Sequence, residues 1–242
     1  MKLILILWLS LLTSLCFGEK ITAAGDPWPP FLSPDLPNQG LSVAIVTEAF
    51  KREGYDLTMN FVPWARAIDG VKKGSYDILV STWWTEERTK FLLYSDPYLE
   101  NQIKFIKRKG DNFEYNGLAS LDGKKVGIVR GYGYGDDFMN ATNFTHHETS
   151  NLIKNLKKLV ANRIDLTLED EIVARALIMS SDPKIMEQVE FTKNMLSTKK
   201  VHVTSGLKNK KHKEIIEAFN KGLKAIKGDG TFDKILKEHN IK

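Results

Sequence analysis

The sequence predicts an α/β protein built from two successive β/α units, and three observations carry that prediction. Short apolar runs alternate with stretches of helical period along most of the chain, the pattern of a parallel sheet covered by helices. The alternation restarts near residue 100. No linker rich in Pro, Gly or Ser and no internal repeat separates the two units, so strands passing directly between them, and with them a hinge, are expected.

In the first unit, "KITAAGDPWPPF" reads as a short strand running into a loop, because Pro27, Pro29 and Pro30 around Trp28 suit neither a ladder nor a helix. "LSVAIVTEAFKREG" sets Val43, Val46 and Phe50 on one helical stripe and stops at Gly54. "YDLTMNFVP" alternates like a strand, "WARAIDGVKKG" reads as a short helix, and "YDILVS" as a strand buried on both faces. In the second unit, "QIKFIKRK" is strand-like, and "GKKVGIVRGYGYGDDF" is a strand, a glycine-punctuated turn and a helix start. "TSNLIKNLKKLVANR" has Leu152, Leu156 and Leu159 at helical spacing behind candidate caps Thr149 and Ser150. "IDLTLEDEIVARALI" predicts strand, turn and helix, "VHVTSGLK" a strand, and "HKEIIEAFNKGLKAI" a helix with Ile215, Phe219, Leu223 and Ile226 on one stripe.

The chain opens "MKLILILWLSLLTSLCFG", a lysine, an apolar run and small residues, which is the layout of a cleaved secretory signal. Cleavage after Gly18 and a periplasmic location are expected. A lipid anchor on Cys16 is disfavoured because Leu15 before it is not small. Removal of this segment takes Lys2 and the single cysteine, leaving a net charge one unit below the +5 of the whole chain. No disulfide then supports the fold, and the core must do so. The lysines are scattered among acids, as in "KGLKAIKGDGTFDKILKEH", so a solvated face and no nucleic-acid partner are expected.

In open parallel sheets, ligands sit beyond the carboxyl ends of the strands. Trp28 follows the first strand, Trp64 opens the helix after the second, and Ser81, Thr82, Trp83, Trp84 and Arg88 follow the third. Tyr132, Gly133 and Tyr134 follow a strand of the second unit, and Asp170 follows another. This set suits a small solute with one anionic group and an apolar or aromatic body. Arg88 offers a planar two-pronged fork for a carboxylate, and Asp170 an acid for an ammonium. The glycines at 131, 133 and 135 allow close backbone approach.

"DPWPPF", "PWARAIDGVKKGSYDILVS", "TEERTKFLLYSDPY", "LDGKKVGIVRG", "RIDLTLEDEIVA" and "GDGTFDKILKEH" together resemble, in order and spacing, the bacterial extracytoplasmic solute-binding proteins of family 3, the polar amino-acid receptors of ABC importers. The resemblance implies a two-lobed, periplasmic-binding-protein-like fold of type II. Each lobe would be a mainly parallel sheet flanked by helices, joined by two hinge strands. It divides the chain into a signal peptide at 1–18, lobe 1 at 19–105 plus 201–242, and lobe 2 at 106–200. It further implies that Arg88 holds an α-carboxylate, Asp170 an α-ammonium, and Trp28 and Trp64 the solute's side chain, with Ser81 a polar contact. The implied partners are an amino acid or related carboxylate and an ABC permease or membrane sensor. A monomer is expected, with neither cofactor nor metal. Two departures stand out: Trp83 replaces a small hydroxyl residue, and "GYGYG" replaces a Gly-Thr-Thr type of turn, so aromatic bulk and bare backbone take the place of hydrogen-bonding groups.

Other readings of the same residues remain open at this level. Trp84 alternates away from Trp83 and reads as core, Arg88 could pair with Glu86 or Glu87, and Asp170 without the resemblance reads as a helix N-cap. Arg66 lines the cleft or caps a neighbouring strand. His146 and His147 read as exposed loop. "GYGYG" lacks the endings of a phosphate loop or a dinucleotide fingerprint. No paired carboxylates or Ser/His/Asp order point to catalysis; the enzymatic alternative is a cyclic-carboxylate dehydratase on the same scaffold, with Glu169, Glu171 or His147 as its acid.

Overall fold

The structure, a computed structural model, describes residues 18–239. The expected signal segment therefore lies outside the described residues, apart from Gly18. The first lobe begins with β1 (Glu19–Gly25), α1 (Leu41–Arg52), β2 (Tyr55–Phe61), α2 (Trp64–Lys73) and β3 (Ile78–Trp83). β1 pairs in parallel with both β2 and β3. A single short turn of helix, α3 (Glu86–Thr89), and β4 (Leu92–Tyr94) lead into the long strand β5 (Leu99–Arg108).

The second lobe holds β6 (Lys125–Val129), α4 (Asp136–Asn140), β7 (Thr145–Thr149), α5 (Leu152–Val160), β8 (Leu166–Asp170) and α6 (Glu171–Ser181). β6 pairs in parallel with β7 and β8. The 18-residue β9 (Val189–Gly206) then returns antiparallel to β5, and α7 (His212–Gly228) and α8 (Thr231–Glu238) end the described chain. The strand order is β2-β1-β3-β9-β5-β8-β6-β7. Two parallel triplets are thus joined by two antiparallel strands, and those strands are the connection that the missing linker foretold.

The helical stripes bury as their spacing requires: Val43, Val46 and Phe50 on α1, Leu152, Leu156 and Leu159 on α5, and Ile215, Phe219, Leu223 and Ile226 on α7. α7 returns to pack on α1, and Gly222 sets how closely. A Cβ at 222 would stand 1.9 Å from the Ala49 carbonyl oxygen, so the crossing admits no side chain there. The largest core cluster runs through both lobes by way of Trp28, Trp83, Tyr134 and Phe138. Among the described residues no helix is long and apolar enough to cross a membrane.

Local departures from the sequence reading have physical causes. The N-cap of α5 is Asn151, whose side chain accepts from the Lys154 amide at 3.0 Å, rather than Thr149 or Ser150. β3 ends at Trp83, so nothing carries Trp84 into the core, and it is 52 % exposed. His146 and His147 lie in the strand β7, where the His146 ring packs 5.1 Å from Phe138 and 4.7 Å from Phe144, centroid to centroid. Arg66 is exposed on α2.

Candidate functional site

One cavity opens where the carboxyl ends of β1 and β3 face the turn after β6. It is lined by Asp26, Trp28, Leu32, Trp64, Ser81, Trp83, Arg88, Tyr132 and Gly133. Its empty volume is about 340 Å³, part of it open to solvent. Hydrogen bonds from Trp28 to Glu169, Arg88 to Gly131 and Tyr132 to Asp26 cross the cleft, so the lobes are shut in this structure.

Each wall is fixed by its neighbours. The prolines around Trp28 fold the loop into a tight turn in which the Trp28 amide donates to the Leu32 carbonyl at 2.7 Å. The Trp28 indole N–H donates to Glu169 Oε1 at 3.2 Å, and the Trp83 indole N–H to Asn101 Oδ1 at 3.2 Å. Trp64, first residue of α2, donates its indole N–H to the Gly131 carbonyl at 2.8 Å. Trp83 stands edge-on to Trp28 at 5.7 Å and to Tyr132 at 5.5 Å between ring centroids. These are favourable aromatic geometries, and they carry apolar packing straight across the cleft.

Arg88 is buried in α3, whose N-cap Thr85 accepts from the Arg88 amide at 3.3 Å. Its guanidinium donates from Nη1 to the Trp83 carbonyl at 2.7 Å and from Nη2 to the Gly131 carbonyl at 2.6 Å, and lies 5.5 Å from the Trp64 ring centroid. It therefore does not pair with Glu86 or Glu87. Burial pulls its pKa below the usual guanidinium value. Gly133 passes so close to it that a Cβ would meet Thr85 Cγ2 at 2.8 Å and Arg88 Nη1 at 3.1 Å. The Ser81 hydroxyl lines the cavity and shares a hydrogen bond of 3.1 Å with the Tyr98 hydroxyl.

Of the residues chosen from sequence, Trp28, Trp64, Ser81, Trp83, Arg88, Tyr132 and Gly133 meet around this cavity, while Thr82, Tyr134 and Asp170 do not line it. Thr82 alternates to the other face of β3 and hydrogen-bonds Thr204 at 3.0 Å. Tyr134 is buried behind Trp83, its hydroxyl accepting from the Val129 amide at 3.1 Å. Asp170 caps α6, as its position before a helix suggested. Its Oδ1 accepts from the Ile172 and Val173 amides at 2.9 and 3.1 Å, and its Oδ2 from Asn101 Nδ2 and the Gln102 amide at 3.1 and 3.2 Å. Both oxygens are engaged in the shut form.

Sequence reading missed Asp26 and Leu32 as cavity residues, and saw Glu169 only as an enzyme's acid. Asp26 stands at the end of β1, where the strand-end rule could have found it, but Trp28 two residues on drew the assignment. Its Oδ2 accepts from the Tyr132 hydroxyl at 2.9 Å, and burial pushes its carboxyl up to about 7. Burial likewise pushes Glu169 up to about 8, with the neighbouring Asp170 and Asp26 charges adding to the effect. A buried carboxyl without a cationic partner favours its neutral form. Among the described residues no group of three or more His, Cys, Asp or Glu side chains is arranged to hold a metal ion.

The chain matches known proteins over most of its length. Residues 21–240 match the bacterial extracellular solute-binding proteins, family 3. The ABC transporter arginine-binding protein 1 of Escherichia coli is 27 % identical over 241 residues, covering 93 % of this chain and 94 % of the relative. A probable histidine-binding protein of Campylobacter jejuni is 23 % identical over 203 residues, or 84 % of this chain and 77 % of the relative. Among solved structures, an ancestral arginine-binding protein bound to arginine superposes with a TM-score of 0.76 at 24 % identity, over 92 % of this chain and 98 % of the other. A histidine kinase sensor domain similar to periplasmic binding proteins also reaches 0.76, at 17 % identity, over 92 % and 96 %. The fold is accordingly the two-lobed one expected, and the chain belongs to family 3 of the bacterial extracellular solute-binding proteins.

Proposed function

We propose that this protein captures an amino-acid-like solute in the cleft between its lobes, outside the cytoplasm after removal of residues 1–18, and hands it to a membrane permease of the ABC type. The lobes are taken as residues 19–105 with 201–242, and 106–200. The observation that carries the reading is the convergence of Arg88, Asp26, Ser81 and three tryptophans from the first lobe with Tyr132 and Gly133 from the second around one cavity. The amino-acid ligands in the names of the relatives support the same solute class.

In this reading Arg88 is the carboxylate fork. In the shut form Gly131 lends its carbonyl oxygen to both the guanidinium and the Trp64 indole. Parting the lobes withdraws that oxygen and frees donors for a carboxylate, which a planar guanidinium grips in bidentate fashion. The tryptophans then wall off water, and the lobes shut again over the solute. The solute holds the shut form only to the extent that it binds it better than the open one. Asp170, which now spends both oxygens on the α6 cap and on Asn101 and Gln102, takes an ammonium only by exchanging one of the latter bonds. Binding without turnover is proposed, in keeping with a family made up of solute-binding proteins.

A thermal-shift screen of amino acids, opines, polyamines and small organic acids tests the reading. A solute present at about 100 times its Kd raises stability by about 2.7 kcal/mol, and tryptophan fluorescence should change with the same hits. No shift from any amino acid or carboxylate would sink the proposal.

A further inference from the structure

On the second lobe, away from the cleft, five basic side chains line one surface concavity: Arg130 after β6, Lys154, Lys157 and Lys158 on α5, and Arg163 beyond it. The Arg130 amide donates to the carbonyl of Thr149, just before α5, at 2.9 Å, and the Arg163 amide donates to the Lys158 carbonyl at 2.9 Å. The two arginines therefore stand at opposite ends of a nine-residue helix, about 14 Å long, with the three lysines between them. Glu148 is the one acid in the concavity, and it is taken by Arg130 Nε at 3.1 Å. Lys154 Nζ donates only to the Ser150 hydroxyl, at 2.8 Å. Among the described residues no carboxylate stands within ion-pair distance of Lys154, Lys157, Lys158 or Arg163.

The rest of the molecule does not treat its lysines this way. Four other helices set an acid one turn from a basic residue: Glu48 with Arg52, Asp69 with Lys73, Glu171 with Arg175 and Glu238 with Lys234. α5, with the sequence LIKNLKKLV, has no acid at all. Lys154 lies three and four positions before Lys157 and Lys158, so the cations face one another and repel, which weakens an isolated helix. The charge is also concentrated here. The whole chain carries +5; Lys2 and Lys242, outside the described residues, supply two of those charges, and +3 remains. Five cations against Glu148 give the concavity +4, so the rest of the described chain is close to neutral. The lysines scatter among acids along the sequence, and the fold gathers these.

We propose that this basic face of the second lobe docks on an anionic phospholipid surface. The inference goes beyond the solute reading and holds whether or not the cleft is filled. An extended partner fits because the cations run along the whole of α5, a span that a single small anion does not bridge. The attachment is electrostatic and reversible: the exposed large apolar side chains, Trp84, Met139, Ile172, Met179, Met195 and Leu207, all lie elsewhere, so nothing on this face inserts into lipid. Each basic residue near an anionic membrane raises partitioning about fivefold. A net charge of +4 then gives a partition constant of about 10³ M⁻¹ and half-binding near about 1 mM accessible lipid at low salt.

Co-sedimentation of the processed chain, recovered after export, with vesicles rich in phosphatidylglycerol and with vesicles of phosphatidylcholine tests the proposal. Binding is expected to the first and not to the second, and it should vanish at about 0.5 M salt, where charges are screened. Equal binding to both lipids, no binding to the anionic vesicles at low salt, or binding that survives high salt overturns the proposal without any variant. The K154Q/K157Q/K158Q variant should bind at least about thirtyfold more weakly, while its melting temperature at low salt stays level or rises because the repulsion along α5 is relieved. A second variant, K208Q/K210Q/K213Q, removes the same charge from the exposed basic run before α7 of the first lobe and should bind as wild type does. Equal loss in both variants would trace binding to net charge alone, and undiminished binding by the first would clear this face; either result overturns the assignment. Inorganic phosphate at matched ionic strength should not displace the chain from vesicles. Displacement would make the concavity a site for a small free anion and would overturn the membrane surface as its partner.

Discussion

Arg88 Nη2 donates to the Gly131 carbonyl at 2.6 Å, and this bond joins the two lobes across the mouth of the cavity. The Trp64 indole adds a second donor to the same oxygen at 2.8 Å. The cation that the proposed function assigns to a solute carboxylate is thus engaged, in the shut form, with the other lobe. Under that proposal a carboxylate and Gly131 compete for one fork.

Removing the fork should abolish carboxylate binding. Truncating one partner of a buried charged pair costs about 2–5 kcal/mol, so Arg88→Ala should weaken any carboxylate hit by about 30-fold or more. Arg88→Lys should recover little, because an ammonium cannot grip two oxygens in a plane. Calorimetric titration of both variants checks this; wild-type affinity in Arg88→Ala would remove Arg88 from the site.

Gly133→Ala should act on closure rather than on folding. The added methyl would stand 2.8 Å from Thr85 Cγ2 and 3.1 Å from Arg88 Nη1, contacts made only when the lobes meet. Overpacking of this kind costs about 1–3 kcal/mol, so solute affinity should fall about tenfold while denaturant unfolding of the solute-free chain moves little. Equal loss in both measurements would place the strain within a lobe.

Trp64→Phe keeps an aromatic wall but deletes the indole N–H that bonds Gly131. A net hydrogen bond is worth about 1 kcal/mol. The solute-free equilibrium should shift toward the open form by about fivefold, visible as a larger radius of gyration or as a change in distance between labels on the two lobes.

Asp170→Ala should destabilise the fold whether or not solute is present. The change removes a cap from α6 and leaves Asn101 and the Gln102 amide without their acceptor. A lost cap alone costs about 1 kcal/mol, and buried donors left unpaired add about 1–3 kcal/mol. Asp170→Asn, which keeps a capping oxygen, should recover much of it. Chemical denaturation without solute is the measurement, and a variant as stable as wild type would mean that the cap is dispensable.

The elements of this fold were legible in the chain because each is written in short-range terms. The stripe Val43, Val46, Phe50 and the apolar run Ile78–Leu79–Val80 depend on neighbours within a few positions and appear where the periodicity sets them, and Asp170 takes the cap that was its alternative reading. The strand-end rule also gathers Trp28, Trp64, Trp83, Arg88 and Tyr132, which line one cavity. Trp84 was misread because its side depended on whether β3 ran one residue further, which local pattern does not decide. The meeting of Asp26 with Tyr132, and of Trp28 with Glu169, is of another kind. These partners lie 106 and 141 residues apart, and nothing near either one specifies the other. Only the crossing of β5 and β9, by setting how one parallel triplet shuts on the other, decides which carboxyl faces which ring and which oxygen receives the Arg88 fork.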